Sequence, residues 1–260
     1  MSFSKVSLQA GVIMTTGQVL EEKKAWETIT KAGHTTFVYP ISSIEKMKKN
    51  LNEVPRGYLL DLGCGCGAAG ATFGGNHCIV GLDFNINDLK RGKEHFGFIN
   101  FILADATKPP FRDDCFEAVL SIDTLHHIED LERVFWEIYR MLKGGGLFVA
   151  KEPSAWHPIA LAFNLLIHFF GRQRVAHWYL FNQSVYRIFG IGFFTPHDIQ
   201  LSPISYANLA KKVGFQDGRL VTCSALPGSM IEKHHFLSKV NSLLEKIPFL
   251  CGAFVFKSRK

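Results

Sequence analysis

Short apolar runs and amphipathic segments alternate through residues 57–152. Five runs are apolar almost throughout and are bounded by Gly, Pro or Asp, which is typical of strands buried on both faces of a sheet. They are GYLLDL (57–62), CIVGLD (78–83), INFILA (99–104), FEAVLSI (116–122) and GLFVAKE (146–152). Such strands, separated by helical segments, predict an α/β fold with a doubly wound, mostly parallel sheet.

The segment between the fourth and fifth runs predicts the clearest helix. Its apolar residues recur at helical spacing, with acids at its start and Gly144 as its expected end. These apolar residues are Leu131, Val134, Phe135, Ile138 and Leu142. Further along, residues 218–226 and 249–260 predict two closing strands with a helix between them, so the complete sheet has seven strands.

These patterns divide the chain into four regions. Residues 1–55 form a predicted N-terminal helical cap, and residues 56–152 form the predicted core. Residues 153–198 are aromatic and helical in character, and we expect a helical lid inserted after the fifth strand. Residues 199–260 return to the sheet. Many of the 23 phenylalanines come after residue 160, which predicts a second apolar cluster beyond the core of the sheet.

The composition of the chain bears on its partners, its compartment and its relation to membranes. The 260 residues carry a formal charge of +6 without any run of five like charges, so we expect a solvated basic face and no nucleic-acid partner. The six cysteines form no CxxC pair, which favours reduced thiols in a cytoplasmic protein without a bound metal. The longest apolar stretch, about 12 residues from Ile159, is shorter than the roughly 20 that span a bilayer. Residues 1–20 lack the pattern of a secretory signal.

A glycine-rich loop follows the first predicted strand. In YLLDLGCGCGAAG (58–70), a GxGxxG pattern begins at Gly65 and a DxGxGxG pattern begins at Asp61. Glycine permits a sharp turn and lets a ligand approach the backbone. Dinucleotides and S-adenosylmethionine (AdoMet) both use such a loop, together with an acid at the end of the second strand. Asp83, 20 residues after Gly63, satisfies either interpretation.

Three further features favour AdoMet. A carboxylate at Asp61 would repel a pyrophosphate but attract a cation, and AdoMet carries an ammonium and a sulfonium. Asp105, at the end of the third predicted strand, could accept a hydrogen bond from an adenine amino group. The closing strands suit a methyltransferase sheet, whereas a dehydrogenase would need a further substrate domain.

Four successive segments resemble the motifs of class I AdoMet-dependent methyltransferases, a group that includes the ubiquinone and menaquinone biosynthesis enzymes. The segments are LLDLGCGCG, VGLDFN, LADATKPPFRDDCFEAVLSIDTLHHIED and RMLKGGGLFVAKEP, and they cover residues 56–152 in the family's order. Two departures are Cys66, where the group usually has Thr, Ser or Ala, and a short first helix. The resemblance implies a seven-stranded Rossmann-like fold and AdoMet as cofactor.

The resemblance also implies roles for individual residues. The loop would line the methionine and ribose, Asp61 would lie near the amino group, and Asp83 would hold the ribose hydroxyls. Phe84 would lie against the adenine, and the end of the fourth strand would lie beneath the sulfonium. The complete set of implied cofactor residues is Asp61, Gly63, Cys64, Gly65, Gly67, Asp83, Phe84, Asp105, Ala106, Ser121, Ile122 and Asp123.

The residues that choose and activate the methyl acceptor are less clearly marked. His126 and His127 follow the fourth strand, where one could act as a general base or both could have a structural or cofactor-side role. In the predicted lid, His157 is a further candidate. The lid's apolar wall and basic rim would suit a small hydrophobic or lipid-like substrate, or contact with a membrane surface; alternatively, its aromatic side chains pack on the sheet.

Two other functions remain open from the sequence. An RNA or protein methyltransferase is compatible with the charge, but the fourth strand ends in SIDT and not in an NPPY-like motif. A non-catalytic protein that binds AdoMet is compatible with the same cofactor residues. We therefore expect a methyltransferase that acts on a small molecule, with these two functions as alternatives.

Overall fold

A computed structural model describes residues 41–73, 77–156, 169, 202–223, 225 and 235–260. The predicted cap before residue 41 lies outside the described residues. So does nearly all of the predicted lid, including His157.

The strands form one mixed sheet of seven in the order β3-β2-β1-β4-β5-β7-β6. Strands β1 to β5 pair in parallel, whereas β7 is antiparallel to both β5 and β6. Their bounds are Tyr58–Leu62 (β1), Cys78–Asp83 (β2), Asn100–Leu103 (β3), Phe116–Ile122 (β4), Leu142–Pro153 (β5), Gln216–Cys223 (β6) and Ala253–Arg259 (β7). The predicted α/β fold class, with a mostly parallel seven-stranded sheet, is confirmed.

Helices connect the strands and cover both faces of the sheet. In the described part of the chain they are Ile41–Leu51 (α1), Ala68–Phe73 (α2), Ile86–His95 (α3), Leu131–Met141 (α4), Pro203–Val213 (α5) and His235–Leu244 (α6). Side chains cap several of them: Asn85 accepts from Asn87 N–H before α3, and Asp130 accepts from Arg133 N–H before α4. Helix α2, the first helix after the glycine loop, is short, as the sequence predicts. None of the described helices combines the length and the apolar character needed to cross a membrane.

The junction between α4 and β5 differs from the prediction. Helix α4 ends at Met141, and Leu142 already begins β5, where it pairs with Phe116 of β4 and is fully buried. Gly144, the expected end of the helix, lies inside the strand and is exposed. The predicted helix included Leu142, whereas the observed helix ends one residue earlier. The reason is that Leu142 is apolar and fits both the helix pattern and the sheet.

Two apolar clusters lie on opposite faces of the sheet, and neighbouring strand residues contribute to different clusters. On one face, α4 and α5 pack against Leu60 and Phe148; on the other, α1 and α2 pack against Leu59 and Val149. Phe148 is fully buried and meets the ring of Phe135 edge-on, at 5.4 Å between ring centroids. The helices therefore hold the sheet from both sides, and the carboxyl ends of its parallel strands form one defined edge.

The burial of Phe148 predicts a large effect on stability. We expect Phe148→Ala to lower the free energy of unfolding by about 3–5 kcal/mol, because it removes a fully buried ring and leaves a cavity. Phe98→Ala is the matched control, since Phe98 is 64% exposed, and it should cost less than about 1 kcal/mol. Urea denaturation of both variants checks this, and equal losses would contradict the proposed packing.

Candidate functional site

The glycine loop leaves β1 and turns into α2 through three residues with left-handed backbone conformation. These are Gly63 (φ 72°), Gly65 (φ 52°) and Gly67 (φ 83°). A Cβ at Gly63 would lie 2.1 Å from Thr124 Cγ2, so the close approach of the two loops requires glycine. At Gly65, by contrast, a Cβ would meet no atom of the described residues within 4 Å. Within the described part of the chain, the loop is therefore packed at its base and uncovered at Gly65.

Backbone amides of this loop already donate to acceptors inside the protein. The N–H groups of Gly63 and Cys64 both donate to Leu82 O, at 2.8 and 3.0 Å. Gly65 N–H donates to Asp83 Oδ2 at 2.8 Å, and Gly70 N–H donates to Asp61 Oδ2 at 2.8 Å. These donors tie the loop to the ends of β1 and β2, and they are not available to cradle an external anion.

Asp61 is buried beneath the loop, with 1% of its surface exposed. Burial raises the pKa of its carboxyl to about 7; the hydrogen bond from Gly70 N–H opposes this shift, and the charge of Asp83 adds to it. The side chain thus connects the end of β1 to α2. Its predicted role near the amino group of a cofactor remains a prediction.

Asp83 ends β2 and holds two loops together. Its Oδ2 accepts from Gly65 N–H and its Oδ1 accepts from Asn85 N–H, both at 2.8 Å. Burial raises the pKa of Asp83 to about 6, although both backbone hydrogen bonds lower it. Each carboxylate oxygen has a further lone pair, so Asp83 can still accept from a ligand hydroxyl.

The predicted adenine residues lie at the neighbouring strand ends. Phe84, directly after β2, is half-buried, as are Asp105 and Ala106 beyond β3. Ala104 N–H donates to Asp83 O at 3.0 Å, which brings the loop after β3 beside the end of β2. Asp105 accepts from Thr107 N–H at 2.8 Å. The sequence-predicted acids at 83 and 105 are therefore on adjacent loops of one edge.

The end of β4 lies next to the glycine loop. Ser121 and Ile122 are buried, and Ser121 Oγ donates to Leu62 O at 3.2 Å. Thr124 Oγ1 lies 3.2 Å from Gly63 O and 3.1 Å from Ile122 O, so its hydroxyl connects the two loops. The predicted residues of β1 and β4 are thereby brought together.

Asp123 takes a left-handed backbone conformation (φ 50°), which is uncommon for a residue with a side chain. Its carboxylate binds the ammonium of Lys151 through both oxygens, at 2.7 and 2.6 Å. Burial lowers the pKa of Lys151, but the charge of Asp123 and its hydrogen bonds outweigh burial and raise the pKa overall. This partly buried ion pair connects the residue after β4 to β5.

Glu152, fully buried near the end of β5, anchors the turn that contains the two histidines. Its Oε1 accepts from the N–H groups of Thr124 (3.2 Å) and Leu125 (2.9 Å). Its Oε2 lies 2.6 Å from His126 Nδ1 and 3.3 Å from His126 N. The side chain of His126 is 8% exposed, and the ring centroids of His126 and His127 are 3.9 Å apart. The two predicted histidines are thus beside the end of β4.

The sequence predictions missed three groups of this site: Thr124, Lys151 and Glu152. The signal was the one that identified Asp83, namely a polar residue at the carboxyl end of a buried parallel strand. Applied to AKEP at the end of the fifth run, it would have selected Lys151 and Glu152. Across the described ranges, no group of three or more His, Cys, Asp or Glu residues is arranged to hold a metal ion.

Comparison with known proteins agrees with this arrangement. Residues 60–150 match the family model described as a methyltransferase domain. The chain is 32% identical over 116 residues to the demethylmenaquinone methyltransferase of Streptomyces avermitilis, covering 44% of this chain and 50% of that protein. It is 38% identical over 103 residues to the sterol 24-C-methyltransferase of Pneumocystis carinii, covering 36% of this chain and 27% of that protein. The match thus spans half or less of each relative.

A solved structure shows the same fold over a greater length. An AdoMet-dependent methyltransferase of Thermotoga maritima superposes with a TM-score of 0.61 at 16% identity, covering 94% of this chain and 97% of that one. The sequence match lies in the segment that carries the glycine loop and its acids. Residues 60–150 thus match a methyltransferase domain in sequence, and the chain shares the fold of an AdoMet-dependent methyltransferase.

Proposed function

We propose that this protein binds AdoMet at the glycine loop and transfers its methyl group to a small hydrophobic or lipid-like molecule. The observation that carries the proposal is the set of hydrogen bonds inside the loop. Gly63, Cys64, Gly65 and Gly70 all donate their N–H groups to acceptors of the protein itself. A dinucleotide needs such donors for its pyrophosphate.

The remaining groups fit AdoMet better than a dinucleotide. The carboxylates of Asp61, Asp83 and Asp105 all lie at this edge of the sheet, and an anion would be repelled there. Hydroxyl and ammonium groups, in contrast, would find acceptors. No side chain of the described ranges covers Gly65, so a ligand could approach the backbone there.

AdoMet, when bound, supplies a methyl group on a positively charged sulfur. The family resemblance assigns the ribose hydroxyls to Asp83, the adenine to Phe84, Asp105 and Ala106, and the sulfonium side to the end of β4. The chain's own contribution is to hold the methyl acceptor close, exclude water and, for an acceptor that loses a proton, receive that proton. His126 and His127, beside the end of β4, are the candidates for the last task.

The relatives support a small-molecule acceptor. Two of them are named for a quinone precursor and for a sterol, both apolar molecules. The phenylalanine-rich segment after residue 160 would supply an apolar wall for such an acceptor, and would also allow contact with a membrane surface. Its residues lie outside those the structure describes, with the exception of Phe169.

Two measurements test the function. Calorimetry with AdoMet and with NAD separates the cofactors, and binding of NAD without AdoMet would end the proposal. Transfer of a labelled methyl group is then measured with a prenylated naphthoquinol, a sterol, a peptide pool and an RNA pool. We expect turnover with a lipid-like acceptor; turnover with RNA or peptide alone would overturn the substrate class, and AdoMet binding without any turnover would favour a non-catalytic binding protein.

The role of Asp83 gives a quantitative prediction. Asp83→Asn should weaken AdoMet binding by roughly 1.5–3 kcal/mol, because a charged acceptor of the ribose hydroxyls becomes neutral. Glu117→Gln is the matched control. Like Asp83, Glu117 accepts a backbone N–H, that of Tyr58; it pairs in addition with Lys143, and it lies at the opposite end of the parallel strands. Calorimetry should show unchanged affinity for Glu117→Gln; equal affinities for both variants would remove Asp83 from the site.

The raised pKa of Asp83 predicts a pH dependence of binding. Its pKa is about 6 in the ligand-free protein, and hydrogen bonds from hydroxyl groups favour the ionised carboxylate. Protonation below pH 6 therefore competes with AdoMet, and affinity should fall about tenfold between pH 7 and pH 5. Titrations at both pH values check this, with Asp83→Asn as the variant whose profile should be flatter. A wild-type affinity that is constant over this range would contradict the assignment.

A further inference from the structure

We propose that Glu152 is a positioning residue that fixes the tautomer of His126, so that His126 Nε2 can receive the proton released by the methyl acceptor. The role of His126 as a proton acceptor rests on the proposed function. The structural part of the proposal, the tautomer, concerns the ligand-free protein and can be measured separately.

The carboxylate of Glu152 requires a donor at His126 Nδ1. The two atoms Glu152 Oε2 and His126 Nδ1 are 2.6 Å apart, and both side chains are buried. A carboxylate has no proton to donate, so a neutral imidazole in this position carries its proton on Nδ1. Nε2 then retains its lone pair, as a proton acceptor must.

The surroundings hold the carboxylate in place. Three consecutive backbone N–H groups, from Thr124, Leu125 and His126, point to the two oxygens of Glu152. The neighbouring ammonium of Lys151 is bound to Asp123 through both carboxylate oxygens. Among the residues that the structure describes, the buried hydroxyl of Tyr206 has no hydrogen-bond partner, Glu152 included. His126 is therefore oriented by a carboxylate that is itself immobilised.

The position of His126 in the fold suits proton transfer at the site. The turn at Leu125–His127 follows the end of β4 directly, and Thr124 contacts the glycine loop at Gly63. Methylation of an O–H or N–H acceptor would form a bond from that oxygen or nitrogen to the methyl carbon. It would break the bond between that carbon and the sulfonium sulfur, whose electron pair leaves with the neutral thioether, and it would break the bond from the acceptor atom to hydrogen. The released proton would pass to Nε2 of His126, and the resulting imidazolium would be stabilised by Glu152.

The alternative is that Glu152 has only a structural role, as an acceptor for the N–H groups of the turn. Two variants separate the roles. Glu152→Gln keeps the volume and a carbonyl oxygen for Thr124 and Leu125, but it places an amide donor opposite His126 Nδ1 and should move the proton to Nε2. His126→Asn keeps a donor for Glu152 in place of Nδ1–H but has no group equivalent to Nε2.

The first readout is long-range ¹H–¹⁵N correlation of histidine side chains in the ligand-free protein at about pH 8, where an ordinary imidazole is neutral. The signals of His126 are identified by their loss in His126→Asn. We expect Nδ1 to be protonated in the wild type and Nε2 in Glu152→Gln. Glu137→Gln, which changes another buried glutamate that is paired with Arg133 and Arg140, should leave the tautomer unchanged. A wild-type proton on Nε2, or an unchanged tautomer in Glu152→Gln, would overturn the proposal.

The second readout is methyl transfer with the acceptor that the wild type uses fastest. Glu152→Gln and His126→Asn should each lower kcat about a hundredfold or more, while KM for AdoMet stays within about twofold. His126→Asn should also retain the thermal midpoint of the wild type, because the hydrogen bond to Glu152 is kept. If His126→Asn is as active as the wild type, the pair is structural and the proposal fails.

The two proposals can fail separately. If the wild type shows the expected tautomer but neither binds AdoMet nor transfers methyl groups, the proposed function fails while the tautomer assignment stands. If the wild type transfers methyl groups but His126 has the opposite tautomer, only the role of Glu152 fails. Should Glu152→Gln not fold, the wild-type spectrum and the activity of His126→Asn still decide the question.

Discussion

The site depends on one kind of interaction: a buried carboxylate at the carboxyl end of a strand that accepts backbone N–H groups from a loop or from the first turn of the helix that follows it. Asp61, Asp83 and Glu152 each make this interaction, at the ends of β1, β2 and β5. Burying a carboxylate is unfavourable unless hydrogen bonds compensate it, so each acid needs its loop in one conformation. The loops in turn need the acids, because their own amides would otherwise be unsatisfied.

This arrangement divides the edge of the sheet into two halves with different chemistry. Around the glycine loop, Asp61 and Asp83 have raised pKa values because they are buried, and they leave acceptors for hydroxyl and ammonium groups. Around the histidine turn, Glu152 and the pair of Asp123 with Lys151 organise groups that can handle a proton. Thr124 joins the halves through its contact with Gly63, so this hydrogen bond connects the glycine loop to the histidine turn.

The sequence predicts most of the sheet because strands buried on both faces appear as continuous apolar runs. It also predicts acids at the carboxyl ends of the second and third strands, where Asp83 ends β2 and Asp105 follows β3. The sequence does not predict the boundary at Leu142, where helix and strand patterns overlap. It also does not predict the role of Glu152, because Glu152 binds a turn that lies 26 to 28 residues away in the chain. Which loop amide meets which acid, such as Gly70 with Asp61, depends on how α2 docks, and no local pattern contains that information.

The position of β7 between β5 and β6 has a consequence for how the chain reaches this fold during synthesis. Strand β6 joins the sheet through its pairing with β7, yet β6 leaves the ribosome first. Until β7 emerges, β5 has an unpaired edge on that side and β6 has no partner, so the sheet ends at β5. The half that carries the glycine loop can assemble earlier, from strands close together in the chain. Unpaired strand edges invite association with other chains, and in this interval β5 presents such an edge.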